Sequence, residues 1–428
     1  MNSHDHSQTE NLENNNVDVV IIGAGPSGAI ASALLNKQGH KVVVIERQHF
    51  PRFSIGESLL PQCMEFIAEA GMLDAVNNAG FQFKNGAAFT HNGNYSFFDF
   101  TQKFSPGPGT TFQVQRAAFD HLLASEAQKQ GVEIRYGHGV TASVFSAEGV
   151  ELFIQPDNGA AYQLKARFVL DASGFGRVLP RLLDLELPSN FPLRTAVFTH
   201  IEDRIDSAVH ASLPEHDRNK ILITVHPKHE DIWFWLIPFA HGRCSMGVVG
   251  ENHYFEGKTD LKACLQTLVN ETSDLGPLLR NAVFDTPVQK LSGYACNVKS
   301  LWGQHFALLG NAGEFLDPVF SSGVTIAMKS ASLAAPLVDR QLKGETIDWE
   351  TEYAIPLKRG VDTFRNYVTA WYDGRFQDVV FFRQDKTAPK VSGMISSILA
   401  GYAWDMNNPF VAEPARRLNA LAELCRGQ

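Results

Sequence analysis

Cysteine is scarce in this chain, and its spacing gives a metal nothing to bind. Cys63, Cys244, Cys264, Cys296 and Cys425 are dispersed over 428 residues with no CxxC pair, which excludes the usual zinc spacings and a disulfide framework. An odd, scattered set of thiols predicts a reduced, cytoplasmic setting. His4 and His6 are too isolated to add a metal site. Positive charge is also short, with 37 lysines and arginines against 46 aspartates and glutamates, a net charge of −9. A nucleic-acid binder needs the opposite balance. No uninterrupted apolar segment is long enough to span a membrane. Residues 19–36 carry no charge over 18 positions, the length at which a spanning helix becomes a candidate. Gly23, Gly25, Pro26 and Gly28 break that run, so a strand, a turn and a helix account for it better. Residues 1–16 have neither an apolar core nor a basic start, which argues against a signal peptide and predicts a disordered tail.

Against those shortages stand 30 phenylalanines, enough for an aromatic interior, and a length that exceeds what one hydrophobic core supports. The most specific local signal is VDVVIIGAGPSGAIASALLNKQGHKVVVIER, residues 17–47. A β-branched run at 17–22 is followed by Gly23-Ala-Gly25-Pro26-Ser27-Gly28, an alanine-rich helix and a second strand at 41–45 that ends at Glu46. Gly23 permits the tight turn, Gly25 lets a diphosphate approach the backbone, and Gly28 lets helix and strand pack closely. The helix N-terminus offers amide donors and a favourable dipole to the phosphates. Glu46, next to Arg47, falls where a carboxylate accepts from ribose hydroxyls and repels a 2′-phosphate. A single such fingerprint at the start of the chain favours a resident FAD over a transient nicotinamide.

DIWFWLIPF, residues 231–239, places Trp233, Trp235 and Ile237 at strand spacing, so they share one face. Phe234 and Leu236 take the other face, and Pro238 ends the run. Read alone, the segment is a strand buried on both sides; a second reading makes its tryptophan face the wall of an active site. Two further segments, FVLDASGFGR (168–177, with Asp171) and residues 301–340 with Asn311, Asp317-Pro318 and Ser321-Ser322-Gly323, each read as a strand followed by a glycine-rich loop. They resemble the flavin-contacting loops of FAD monooxygenases related to p-hydroxybenzoate hydroxylase. That resemblance implies an α/β fold with a Rossmann-type FAD-binding domain, an inserted β-sheet substrate domain and a C-terminal helical segment. The expected boundaries are 17–83, 110–186 and 287–345 for the FAD domain, 84–109 and 187–286 for the substrate domain, and 346–428 for the helices.

Taken together the motifs resemble the flavin-dependent halogenases, over nearly the whole chain after the tail. FPRFSIGES (50–58) is shared with geranylgeranyl-reductase-like flavoproteins, whereas Trp233-Phe-Trp235-Leu-Ile237-Pro238 is similar to the WxWxIP signature of halogenases. FLDPVFSSG (315–323) resembles their Fx2Px2SxG element, and FQFKNG (81–86) places Lys84 at the position of the family's essential lysine. Ile232 replaces the glycine that usually precedes the first tryptophan, and Asn311 replaces the aspartate of the Gly-Asp-Ala loop. The resemblance implies FADH2 supplied by a separate flavin reductase, with O2 giving a flavin hydroperoxide that oxidises chloride or bromide to hypohalous acid. Lys84 then presents the halogen to an electron-rich aromatic ring. It also implies that Ser322 and Gly323 face the halide, that Val324 and Arg116 lie near the flavin, and that Pro318, Phe320 and Ser321 line the tunnel with the tryptophans.

Local sequence gives blander alternatives at several of these positions. Lys84 reads as a solvated lysine beside an Asn85-Gly86 turn, Ser322 as a helix N-cap, and Arg116 as a surface partner of Asp120. Phe81 and Phe83 are expected to desolvate Lys84. Phe320 stands where tryptophan halogenases carry a glutamate, so the resemblance implies a phenol, resorcinol or pyrrole, free or on a carrier protein. Rival functions are a geranylgeranyl-reductase-like reductase or dehydrogenase of an apolar polyene, a flavin aromatic hydroxylase, and a flavoprotein kept as a binding subunit. Residues 391–406 are expected to form a helix that covers the pocket.

Overall fold

The computed structural model describes residues 16–205, 216–382 and 389–427. The expected tail therefore lies outside the described residues, except that Asn16 already begins the first strand. Among the described residues, two large sheets organise the chain, of eight and seven strands. The core of the first is parallel, in the order Phe306–Leu308, Tyr162–Asp171, Asn16–Ile22, Val42–Glu46, Glu133–Tyr136. Val19, Val20, Ile21 and Val44 are completely buried, as parallel strands covered on both faces require. The Pro26–Lys37 helix follows the glycine loop directly and packs on the long Ser322–Leu342 helix. Its small residues, Gly28, Ala29, Ala31, Ser32 and Ala33, permit that close approach and are all buried.

The second sheet runs Gln289–Ser292, Arg194–Glu202, Arg243–Glu251, Trp233–Pro238, Lys220–Val225, Gly86–His91, Asn94–Asp99. Its neighbours are antiparallel except for Lys220–Val225 against Gly86–His91. Gln289–Ser292, given to the flavin domain by sequence, is thus an edge strand of this sheet. The alternation expected for the tryptophan strand is present: Trp233, Trp235 and Ile237 join the main core between the sheets. Phe234 and Leu236 join a separate core under the Leu261–Asn270 helix. Between the sheets lies a short antiparallel ladder, Gln82–Lys84 with Thr111–Gln113. The C-terminal helices Ile355–Tyr372, Arg375–Phe381, Pro389–Leu399, Pro409–Ala412 and Pro414–Arg426 follow. Among the described residues no helix is long and apolar enough to cross a membrane, and no group of three or more His, Cys, Asp or Glu side chains could hold a metal.

The second sheet makes room for its tryptophans at one cross-strand position. Trp235 pairs directly with Gly247, and a Cβ at Gly247 would overlap the six-membered ring of that indole. Directly opposed side chains stand about 5 Å apart, so a ring lying flat on its neighbour needs a glycine there. Gly247→Ala is expected to force Trp235 out of place and lower stability by about 1–3 kcal/mol, the usual cost of overpacking. Urea denaturation monitored by tryptophan emission measures this; an unchanged midpoint would refute it.

Candidate active site

A cavity of about 410 Å³ runs from the first glycine loop to the tryptophan strand. One end is lined by Gly23, Gly25, Pro26, Ser27, Glu46 and Arg47, the other by Trp233, Trp235, Ile237, Asn311, Pro318, Ser321, Gly323 and Val324. Gly23 has φ +100°, and a Cβ there would stand 2.6 Å from the Ala172 carbonyl oxygen. A Cβ at Gly28 would overlap the Gly23 carbonyl, so Gly28 closes the turn from behind and does not line the cavity. Glu46 is buried and accepts from the amides of Ala24 (2.8 Å) and Gln48 (2.9 Å). Each of its oxygens keeps a lone pair for a further donor, such as a ribose hydroxyl. A glycine loop, a bare helix N-terminus and this carboxylate suit an adenine dinucleotide, and the remaining length of the cavity suits the flavin end of FAD.

At that far end the Ser322–Leu342 helix begins without a side-chain cap. Ser321 takes the N-cap position in the left-handed region, φ +56°, a conformation that costs a non-glycine residue roughly 1–2 kcal/mol. The first amides of a helix lack intrahelical acceptors, so an uncapped end is suited to negative charge. Ser322, assigned by sequence to the halide and also read as the cap, is neither cap nor cavity lining: it is the first helical residue, 2% exposed. Its neighbours Ser321, Gly323 and Val324 are the ones facing the cavity.

The wall is built by indoles 6.0 Å apart and tilted by 48°. Trp235 Nε1 donates to Ser245 Oγ at 3.0 Å, and Trp233 Nε1 donates to the Tyr372 hydroxyl at 2.9 Å. Both polar edges are thereby satisfied within the protein, and apolar surface is left toward the cavity. Arg116 keeps the expected Asp120 partner but is buried and not on the surface. It lines the cavity, and it is buried against Asp120 with Nε–Oδ1 at 2.7 Å and Nη2–Oδ2 at 2.9 Å, while Nη1 donates to the Ile55 carbonyl.

Lys84 lies outside the cavity lining and is fully buried. Its Nζ donates to the Leu59 carbonyl at 2.7 Å and sits 5.4 Å from the centre of the Phe100 ring. Burial pulls its pKa from the ordinary 10.5 down to about 7; nearby Cys63 pushes weakly the other way. Asn85 and Gly86 form no turn, because Gly86 opens a strand whose neighbour is Asp99. Phe83 points away and is 43% exposed, since alternate residues of a strand face opposite sides. Leu59 and Phe100 stand against the amine, whereas Phe83 does not and Phe81 packs edge-on against Phe119. Residues 391–406 cover this region and not the cavity: Ala400 accepts from the Gln62 amide at 3.1 Å, and Gly401 packs on Leu60, Gln62 and Thr325.

Several expected contacts serve the frame instead. Asp171, fully buried, accepts from the amides of Ser173 (2.9 Å) and Leu179 (2.6 Å) and so shapes the second glycine loop. Asp317 accepts from the Val319 amide at 3.0 Å and the Tyr372 hydroxyl at 2.9 Å. Burial raises its pKa to about 6 despite nearby Arg194. Pro238 ends its strand away from the cavity. Phe320 is enclosed by Tyr367, Trp371 and Phe376, each ring edge-on at 5.3–6.4 Å. Sequence reasoning missed the cavity-lining run from Arg52 to Ser58, although FPRFSIGES marks it. Arg52 Nη2 lies 3.4 Å from where a Cβ at Gly25 would stand, and buried Glu57 is joined to His200 Nε2 at 2.8 Å.

Comparison with known proteins agrees with this geometry. The FAD binding domain family model matches residues 16–244. The chain is 30% identical over 341 residues to the 1H-pyrrole-2-carbonyl-(peptidyl-carrier protein) brominase of Pseudoalteromonas luteoviolacea, covering 78% of this chain and 80% of that one. Among solved structures, a flavoprotein/dehydrogenase from Cytophaga hutchinsonii matches with TM-score 0.90 and 42% identity over 96% of this chain and 99% of that one. The flavin-dependent brominase Bmp2 matches with TM-score 0.81 and 25% identity over 96% and 100%. The chain is an FAD-dependent oxidoreductase and belongs to the flavin-dependent halogenase family.

Proposed function

We propose that this protein halogenates an electron-rich aromatic ring, a phenol, resorcinol or pyrrole, and that Lys84 delivers the halogen. The observation that carries this reading is a buried lysine to which, among the described residues, no carboxylate is hydrogen-bonded. Once bound, reduced FAD supplies the power to turn O2 and halide into hypohalous acid, and a separate flavin reductase is the proposed source of electrons. The uncapped helix start at Ser321, Gly323 and Val324 attracts the halide by its amides and dipole. Trp233, Trp235 and Ile237 present apolar surface beside that point and exclude water and organic substrate. Lys84, outside the cavity, receives the oxidant as a neutral amine, which has a lone pair for hydrogen bonding or N–halogen bond formation. Residues 84–109 and 187–286 are proposed to frame the substrate.

Substrate class follows from Phe320. Its neighbours are rings, so this position supplies no carboxylate to steady a cationic ring intermediate. The ring must then stabilise its own charge, as phenolates and pyrroles do. The pyrrole-acting brominase and the chlorinase of Pseudomonas fluorescens, 27% identical over 84% of each chain, support the same class and a carrier-bound form. A competition assay under one reductase system is expected to show carrier-bound pyrrolyl or phenolic substrates brominated at least tenfold faster than free tryptophan. Preference for tryptophan would reject this substrate class. The description of the Cytophaga structure as a dehydrogenase supports a competing reductase reading. Oxygen-independent reduction of a polyene, with no brominated product from reduced FAD, O2 and bromide, would establish that reading instead.

The lysine gives the proposal a pH signature. With a folded pKa of about 7, Lys84 is neutral above that value, so halogen transfer is expected to rise with pH through about 7 and then level off. Between about 7 and 10.5 the unfolded chain binds the extra proton, so the native fold gains stability as pH rises through that window. Lys84→Met removes the buried charge at little change in volume. It is expected to cut halogenation by about 100-fold or more, to leave scavengeable hypohalite, and to keep stability at pH 7 equal or higher. Halogenation at the wild-type rate with a scavenger present would reduce Lys84 to a structural residue.

A further inference from the structure

Tyr372 joins the two sides of the cavity's far end. It is the last residue of the Ile355–Tyr372 helix. Its hydroxyl accepts from Trp233 Nε1 at 2.9 Å and donates to Asp317 Oδ2 at 2.9 Å. Asp317 Oδ1 in turn accepts the Val319 amide at 3.0 Å. The chain of bonds therefore begins on the indole wall and ends in the turn that carries Pro318, Ser321, Gly323 and Val324. Trp233 and all four of those residues line the cavity. Arg194 lies over the Tyr372 ring, with its guanidinium carbon 3.3 Å from the centroid, so the phenol is held from its face as well as at its hydroxyl.

Packing alone does not explain these groups. A phenylalanine would fill the same space and stack under Arg194, whereas a hydroxyl and a carboxylate taken out of water are costly unless fully bonded. Here the hydroxyl is used once as acceptor and once as donor, and each carboxylate oxygen has a donor. At the same helix end Trp371 packs edge-on against Phe320 and lies 5.8 Å from the Phe89 ring, in the same core as Trp233. We propose that Tyr372 and Asp317 are positioning residues that fix Trp233 against the Pro318–Val324 turn, so that oxidant formed in the cavity is retained and not lost to solvent. The retention part rests on the halogenase reading; the positioning part does not.

Tyr372→Phe tests both. In flavin-free protein it is expected to shift the tryptophan emission, and the shift is expected to vanish in a Trp233→Phe background, which lacks the indole donor. In the reductase-coupled enzyme with bromide, the share of oxidant caught by added methionine is expected to rise about threefold to tenfold, the factor one or two lost hydrogen bonds provide. Asp317→Asn, which keeps one acceptor oxygen and so can no longer accept from both the Val319 amide and the Tyr372 hydroxyl, is expected to raise the same share, and it serves if Tyr372→Phe folds poorly. Independent effects of Tyr372→Phe and Trp233→Phe on emission overturn the positioning role. An unchanged share of trapped oxidant in both variants overturns the retention role. Wild-type protein that yields no trappable oxidant and no brominated product removes the halogenase reading and retention with it, while the emission cycle still decides positioning.

Discussion

A lysine taken out of water at the junction of the two sheets is the costly feature around which the rest is arranged. Burying an ammonium with no opposing carboxylate is unfavourable, and the chain responds by shifting the protonation equilibrium and not by adding a counter-ion. That choice constrains the surroundings. The Leu59 carbonyl must meet Nζ, Phe100 must shield it, and the Leu60–Gln62 segment must be closed over by Ala400 and Gly401. The turn after the Pro389–Leu399 helix thereby closes the far side of the segment that meets the amine.

The dinucleotide cavity obeys the opposite requirement. It is built from backbone amides, glycine approaches and a helix start, which favour anions, and none of these groups contacts Lys84. The wall beside that anion-favouring end is apolar and fixed in place. Indoles satisfy both demands, because each offers a large unhydrated face and a single N–H by which to hold it. Ser245 and Tyr372 take those two N–H groups. On the proposed reading this wall keeps organic substrate away from the point where the oxidant is made.

Local pattern made the dinucleotide cavity legible and the lysine site only by family likeness. Residues 17–46 announce themselves because turn, helix and strand follow one another within a single unit, so spacing alone defines the geometry. The tryptophan strand was legible in its alternation, since a period of two decides which side each residue takes. Lys84 was not: in sequence it sits beside Asn85-Gly86, and its burial depends on residues from 59 to 100 and on the C-terminal cover. Asp171 and Asp317 looked like ligands because a carboxylate before a loop reads the same whether it faces a cofactor or caps backbone amides. Gly247, Arg194 and Tyr372 carry no local signal, because each matters only through a partner on a distant strand or helix. Glu57 lay in a recognised motif, yet its partner His200 is set by how the second sheet folds over it.

That distinction bears on how a halogenase-like chain and a structure described as a dehydrogenase come to share 42% of their residues and one fold. The glycine loop, Glu46 and the Arg52–Ser58 run address the dinucleotide, and any enzyme that holds FAD this way has use for them. They report the cofactor and are silent on the reaction. A reductase that passes hydride from the flavin needs its substrate against the ring, and a wall of two pinned indoles works against that approach. It would also gain nothing from an amine kept neutral outside the flavin cavity. On the proposed reading both features would place reactivity away from the cofactor, which suits a small oxidant that travels and does not suit a hydride that must be passed by contact. On the proposed reading, the physical case for halogenation rests on the buried Lys84 more than on the cavity itself.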